Sequence, residues 1–177
     1  SVTESCATAA PLLSRFAYQH DGNGNRLRQL ETRRDAGTQA ALPEEETRYA
    51  YDGLDRLLGV LYPGGRAVQY RLDPVGNRTG ERELEGVTQA TVPAYGETPA
   101  GATLAKDVTA TFNRADWLTG QTDAVDATRD VAYGYDLSGN LVSKVKAGLS
   151  RELRWSSRNT LGAVYDGGVE VGRYDYD

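Results

Sequence analysis

Cysteine, histidine and methionine are almost missing from this chain of 177 residues. The single cysteine, Cys6, excludes an internal disulfide and any all-cysteine metal centre. The single histidine, His20, excludes every site that needs two imidazoles. Methionine is absent even at position 1, so Ser1 reads as something other than a native start, and the chain as a piece of a longer polypeptide or a processed product. No apolar run approaches the ~18 residues of a spanning helix, so no membrane span is expected. No charged segment leads into an apolar stretch at the N-terminus, so no signal peptide is read in this piece. Positive charge is scarce as well: 20 basic residues stand against 25 acidic ones, for a net charge of −5. No nucleic acid is therefore expected as a partner, because phosphate binding needs a cationic surface.

The aromatic residues are lopsided, with 11 Tyr against 2 Phe and 2 Trp, and glycine is plentiful at 20. Tyrosine suits strands and glycine suits tight turns, which favours an all-β chain. Hydrophobic residues make up 39% and charged residues 25%, close to an ordinary globular balance.

An internal repeat organises the sequence. Tyr49-Ala50-Tyr51-Asp52 recurs as Tyr133-Gly134-Tyr135-Asp136 and as Tyr174-Asp175-Tyr176-Asp177. A second motif is tied to the first: Asp21-Gly22-Asn23-Gly24-Asn25 matches Asp73-Pro74-Val75-Gly76-Asn77 and Asp136-Leu137-Ser138-Gly139-Asn140. Weaker copies begin at Asp52 (reaching Arg56), Asn113 and Ser156. The Asp-equivalent positions 21, 52, 73, 113, 136, 156 and 177 give a period of about 21 residues, a spacing typical of repeat architectures. The fold expected is a stack of antiparallel β-hairpins of that period, about eight of them over residues 16–177 behind a lead-in at 1–15. A long loop is expected at 35–47, with Glu44-Glu45-Glu46 solvated. An eroded copy near Tyr95-Gly96 would fill the step of 40, although residues 84–110 carry no clear motif.

Strand chemistry supports this. Val68, Tyr70 and Leu72 alternate with Ala67, Gln69 and Arg71, the period-2 pattern of a half-buried strand. Leu57 to Tyr62 is an apolar run ended by the turn signal Pro63-Gly64-Gly65. The motif itself makes a corner: Asp accepts from backbone N–H groups just ahead, Gly supplies a positive φ, and Asn tolerates similar geometry. Tyr rings are expected to stack on equivalent rings of neighbouring hairpins. The structural motif residues are Tyr18, Asp21, Gly24, Asn25, Tyr49, Tyr51, Asp52, Arg56, Tyr70, Asp73, Gly76, Asn77, Tyr133, Tyr135, Asp136, Gly139, Asn140, Tyr174, Tyr176 and Asp177.

These motifs resemble those of the YD-repeat, or RHS-repeat, family, from about Phe16 to Asp177. The residues that carry the resemblance are Tyr49 to Leu57, Gly65 to Arg78 and Tyr133 to Leu141. The family includes toxin-complex B and C components, polymorphic RHS toxins and teneurins. The resemblance implies hairpins wound into a spiral, hollow shell that in toxins encloses an effector. It implies a non-catalytic wall segment of a larger exported protein, secreted or at the cell surface. Its partners would be neighbouring repeats and an enclosed effector or toxin-complex subunit; a last strand pair ending at Tyr174-Asp175-Tyr176-Asp177 would leave an unpaired edge, so the isolated piece is expected to self-associate or be unstable unless capped. Two alternatives stay open: a cell-surface module binding carbohydrate or a receptor, and a fragment associated with an autoprotease, since Asp73-Pro74-Val75-Gly76 is similar to the family's Asp-Pro-x-Gly.

Other chemistry is thin. No catalytic, cofactor or metal residues are assigned. His20 occupies the place of Tyr51 and Tyr135, which reads as a repeat substitution rather than a catalytic base; a Cys6–His20 pair lacks recognisable oxyanion elements. Asp21-Gly22-Asn23-Gly24-Asn25 is similar to the opening of a calcium loop, but Thr32 stands where the distal Glu belongs, so a side-chain-capped turn is expected instead.

Overall fold

The computed structural model describes residues 14–176. Cys6, Asp177 and all but the end of the 1–15 lead-in lie outside the described residues. Thirteen strands follow one another: β1 (Ser14–His20), β2 (Arg26–Arg33), β3 (Glu45–Tyr51), β4 (Leu57–Leu61), β5 (Ala67–Leu72), β6 (Arg78–Glu85), β7 (Thr103–Phe112), β8 (Leu118–Asp123), β9 (Val131–Tyr135), β10 (Leu141–Lys146), β11 (Leu149–Trp155), β12 (Leu161–Asp166) and β13 (Val169–Arg173). Each pairs with the next, in chain order, in one open antiparallel sheet. Two single 3-10 turns, Pro63–Gly65 and Ala127–Arg129, are the helical elements among the described residues. The chain is all-β, as its alternation and turn residues predict. A lone hairpin is marginal in water; edge-to-edge stacking gives each strand neighbours that satisfy its backbone.

Six motif corners, 21–25, 52–56, 73–77, 113–117, 136–140 and 156–160, all lie at one end of the sheet. The opposite end carries connections as short as 147–148 and as long as 86–102. Six complete corners are thus described, where spacing predicted about eight periods. The step of 40 holds one hairpin and a long connection, not two hairpins. Residues 86–102 form no strand; β6 and β7 on either side pair directly, Glu81 with Val108 and Glu83 with Lys106. Spacing alone cannot separate a degenerate repeat from an inserted loop of similar length.

That loop makes the core. Directly paired residues share a face of the sheet. Leu61, Ala67 and Leu84 share one face with Gly59, Gln69 and Arg82. The 86–102 loop lies across this face. Val87 packs with Leu61, Ala67 and Leu84, and Val92, Ala102 and Leu104 flank the cluster. Ala67 and Leu84 are fully buried. Two strand glycines let the loop lie close. A Cβ on Gly59 would meet a Val92 methyl at 2.8 Å, and one on Gly80 would meet the Tyr95 hydroxyl at 2.2 Å. The half-buried pattern read for β5 therefore holds only from Tyr70 onward: Ala67, Val68 and Gln69 are all buried.

The acidic run differs from its expected place in a solvated loop. Glu45 and Glu46 begin β3, so the connection is 34–44. Glu46 pairs with Arg28 and Arg48, each at 2.6 Å, and Glu45 with Arg33. Cross-strand arginines make a charged run compatible with a half-buried strand.

Candidate functional site

The corners use one construction six times. The first residue's N–H donates to the fifth residue's carbonyl: Asp21 to Asn25, Asp52 to Arg56, Asp73 to Asn77, Asn113 to Trp117, Asp136 to Asn140 and Ser156 to Thr160, at 2.9–3.0 Å. The fourth residue's N–H donates back to the first carbonyl. The first side chain accepts from the third and fifth N–H groups, as Asp73 Oδ1 does from Val75, Gly76 and Asn77 at 2.8–3.1 Å. The strands shift register beside each corner, the mark of a bulge. The fourth position always has positive φ, filled by Gly24, Gly76 and Gly139 in corners one, three and five and by Asp55, Asp116 and Asn159 in two, four and six. Asp and Asn are the side chains that best tolerate that region.

This alternation has a purpose that period-by-period reading misses. Each odd corner ends in an asparagine whose amide donates to the fourth side chain of the following even corner: Asn25 to Asp55 at 2.6 Å, Asn77 to Asp116 at 2.9 Å and Asn140 to Asn159 at 2.9 Å. Glycine could not accept these bonds. Even corners reach the next odd one differently. Arg56 donates to the Asp73 carbonyl at 2.9 Å, and the Trp117 ring covers Gly139, where a Cβ would lie 2.8 Å from it. The six corners thus form one connected ladder along an edge of the sheet. The structural unit is two corners, and Asp55, Asp116, Trp117 and Asn159 belong to the ladder. The signal for them was available: an Asp or Asn wherever Gly is replaced.

The aromatic residue just before a corner ties it to the preceding hairpin. Tyr51 Oη donates to the Arg26 carbonyl at 3.2 Å, Tyr135 Oη to that of Leu118 at 2.9 Å, and Trp155 Nε1 to that of Leu141 at 2.8 Å. Tyrosines two residues earlier are covered by cations, contrary to the expected ring-on-ring stacking between hairpins. Arg26 lies over Tyr18 and Tyr49 at 5.3 and 5.2 Å, Arg78 over Tyr70 at 5.2 Å and Lys144 over Tyr133 at 5.8 Å. Trp117 and Tyr135, 5.3 Å apart, are the ring pair that bridges hairpins among the described residues. A long cation spans the gap between strands and leaves the ring face attractive to it. Tyr174 and Tyr176 follow β13 and are exposed.

The four carboxylates that open a corner, Asp21, Asp52, Asp73 and Asp136, are held in their charged form. The Asn25 amide and nearby N–H groups keep Asp21 below its ordinary 3.8. The Arg56 N–H, with its guanidinium, does so for Asp52, and the Asn140 amide for Asp136. At Asp73 burial pushes upward most strongly, but the Asn77 amide and three N–H groups together outweigh it. The unfolded chain therefore takes up protons first as pH falls. Stability from these corners is complete above the ordinary value of 3.8 and drains away through the lower folded values. Thermal melts across acid pH should show flat stability near neutrality and a decline beginning around that point, made shallower by Asp73→Asn. An unchanged decline in that variant would count against the corner as its source.

The described residues named for other chemistry sit at or beside corners. Asp73 accepts from turn N–H groups, as Asp21, Asp52 and Asp136 do. His20 tilts against Tyr18 at 6.3 Å. In the calcium-like run, Asn23 and Asn25 turn their amide nitrogens toward Asp55 as donors. Among the described residues no cluster of three His, Cys, Asp or Glu is placed to hold a metal, and no helix is long and apolar enough to cross a membrane.

Glycine is required unequally. Gly76 has open space beyond its Cα, whereas Gly139 faces Trp117. Gly76→Val should cost about 1–3 kcal/mol from backbone strain alone, Gly139→Val more, and Gly76→Asn least, because Asn159 fills the same corner position with φ of +58°. Melting temperatures of the three variants check the order; equal losses would refute it.

The chain is, by this construction, an open antiparallel sheet of tandem hairpins joined corner to corner. Residues 51–88, which span the second and third corners, match the RHS Repeat family model. The resemblance to the YD/RHS-repeat family thus holds on that segment: the chain carries an RHS repeat. No curated protein matches the chain. Among solved structures, that of TcdB2-TccC3-Cdc42 is similar at 14% identity over 82% of this chain and 9% of that one, TM-score 0.40. The Photorhabdus luminescens Tc holotoxin pore is similar at 15% over 80% and 8%, TM-score 0.38. A porin-like protein from Bacteroides uniformis is similar at 13% over 81% and 54%, TM-score 0.39. The chain spans under a tenth of the two toxin chains.

Proposed function

We propose that this chain is a non-catalytic wall segment of a larger RHS/YD-repeat protein, secreted or exposed at a cell surface, whose shell encloses an effector or toxin domain. The corner ladder carries the reading. Its hydrogen bonds and its Trp117 contact use positions that recur with the repeat, so a longer array extends it without new chemistry. Corner side chains are spent on turn and ladder bonds, which is what a wall needs and a catalytic centre cannot spare. Neighbouring repeats of the same polypeptide, pairing at β1 and β13, the outermost strands among the described residues, would be the immediate partners, with the enclosed domain or a toxin-complex subunit beyond them.

Electron microscopy of the full polypeptide containing these residues is the test. A closed, hollow particle holding internal density is the expected result. A rod or an open sheet with no cavity would overturn the enclosing role, and binding to glycans and surface receptors would then be measured in its place.

A further inference from the structure

The face of the sheet opposite the 86–102 loop is closed over β7 and β8, where Val108, Ala110 and Asp123 are buried and Arg129 lies on Asp123, but β9 to β12 present half-buried and exposed residues there. It holds a hollow of about 360 Å³ across β6 to β10, joined through Lys144 and Lys146 to a second of about 400 Å³ across β10 to β12. The hollows are rich in cations, in a chain that is acidic overall. Most of these cations have partners. Glu81 takes Arg78 at 3.1 Å and Lys106 at 2.5 Å. Asp123 takes Arg129 at 3.0 Å, and Asp166 takes Arg151 at 2.7 Å. Lys144 and Lys146 have no such carboxylate among the described residues. Lys144 lies over the Tyr133 ring, and Lys146 is exposed.

These two lysines sit at alternate positions of β10, cross-strand from Tyr133 and Val131, and Lys146 also faces Leu149, which is 79% exposed. Alternate residues of a strand point the same way about 6.6–6.8 Å apart. An extended peptide has that same spacing between its own alternate side chains. We propose that this trough binds an extended acidic peptide, with carboxylates at alternate positions meeting Lys144 and Lys146 and the flanking residues lying against Val131, Tyr133 and Leu149. A nucleic acid fits less well, because Arg78, Lys106, Arg129 and Arg151 already hold carboxylates, and two lysines are too few for an unbroken row of phosphates. The proposal stands independently of whether the parent polypeptide closes a shell.

Fluorescence anisotropy of labelled decapeptides with the 177-residue chain tests it. One peptide alternates Glu with Thr; a second has the same composition with all its Glu in one block. The alternating peptide should bind more tightly and weaken with added salt. The K144Q/K146Q double variant should weaken it about tenfold, the sum of two partly exposed ion pairs, with melting lowered by no more than the lost Lys144–Tyr133 contact. R15Q, on the exposed β1 strand, should leave binding as it was. Equal binding of the block peptide, equal loss in R15Q, no binding of either peptide, or tighter binding of an oligothymidylate of the same length would each overturn the proposal.

Discussion

Gly65→Val is expected to be the most damaging glycine substitution in the chain, costing on the order of 3–5 kcal/mol. Two effects add. Gly65 has φ of +82°, where a β-branched residue is strained. A Cβ there would also meet the Val87 carbonyl oxygen at 2.7 Å and its nitrogen at 3.1 Å. Backbone cannot swing aside as a long side chain can. Val87 donates its N–H to the Gly65 carbonyl at 2.9 Å and is 6% exposed in the core with Leu61, Ala67 and Leu84. Moving Val87 breaks that bond and opens the core where the long loop leaves β6. Its neighbour Gly64 is the control: φ is +78° and nothing lies within 4 Å of its would-be Cβ. Gly64→Val should therefore show the strain alone, about 1–2 kcal/mol. Thermal melts of both variants decide the matter. Similar losses in the two would show that the Val87 contact contributes nothing.

The corners were the most legible part of the sequence because their chemistry is local. Asp73, Gly76 and Asn77 lie within five residues and satisfy one another, so the words in the sequence are the geometry. The sheet order followed from the same source: short turns between alternating segments leave few partners other than the next strand. What could not be read was everything that depends on residues far apart in the chain. Gly59 and Gly80 look like weak points within strands until Val92 and Tyr95 are seen above them. Asp55 and Asp116 look like defects in the motif until Asn25 and Asn77 are seen reaching for them from the preceding corner. Tyr49, Tyr51, Tyr70, Tyr133 and Tyr135 lie on strands as expected, whereas Tyr174 and Tyr176, expected in a last strand pair, follow β13; over Tyr49, Tyr70 and Tyr133 the register between strands places a cation.

The 86–102 loop shows how distant residues can make a stretch without motifs as firm as the repeats around it. Gln69 and Arg82 are cross-strand neighbours beneath it, Gln69 fully buried and Arg82 8% exposed. Arg82 donates to Gln69 Oε1 at 3.1 Å, to the Glu97 carbonyl at 3.2 Å and to Thr98 Oγ1 at 3.0 Å, and pairs with Asp107 at 3.3 Å. Gln69 donates to the same Glu97 carbonyl at 2.8 Å and accepts from the Gly96 N–H at 3.3 Å. One planar guanidinium thus binds two strands to the loop. Arg82→Ala is expected to cost about 2–4 kcal/mol, below the loss for a fully buried ion pair because Asp107 keeps some water. Arg82→Lys should recover only part of this, since one ammonium cannot reproduce the fork. The loss should be concentrated in the loop. Hydrogen exchange should show residues 93–98 opening sooner than the corners, and limited proteolysis should cut first within 86–102, while the Asn77–Asp116 rung stays protected. A variant that melts as the parent does, with the loop still protected, would mean that Val87, Val92 and Tyr95 hold the loop by packing alone.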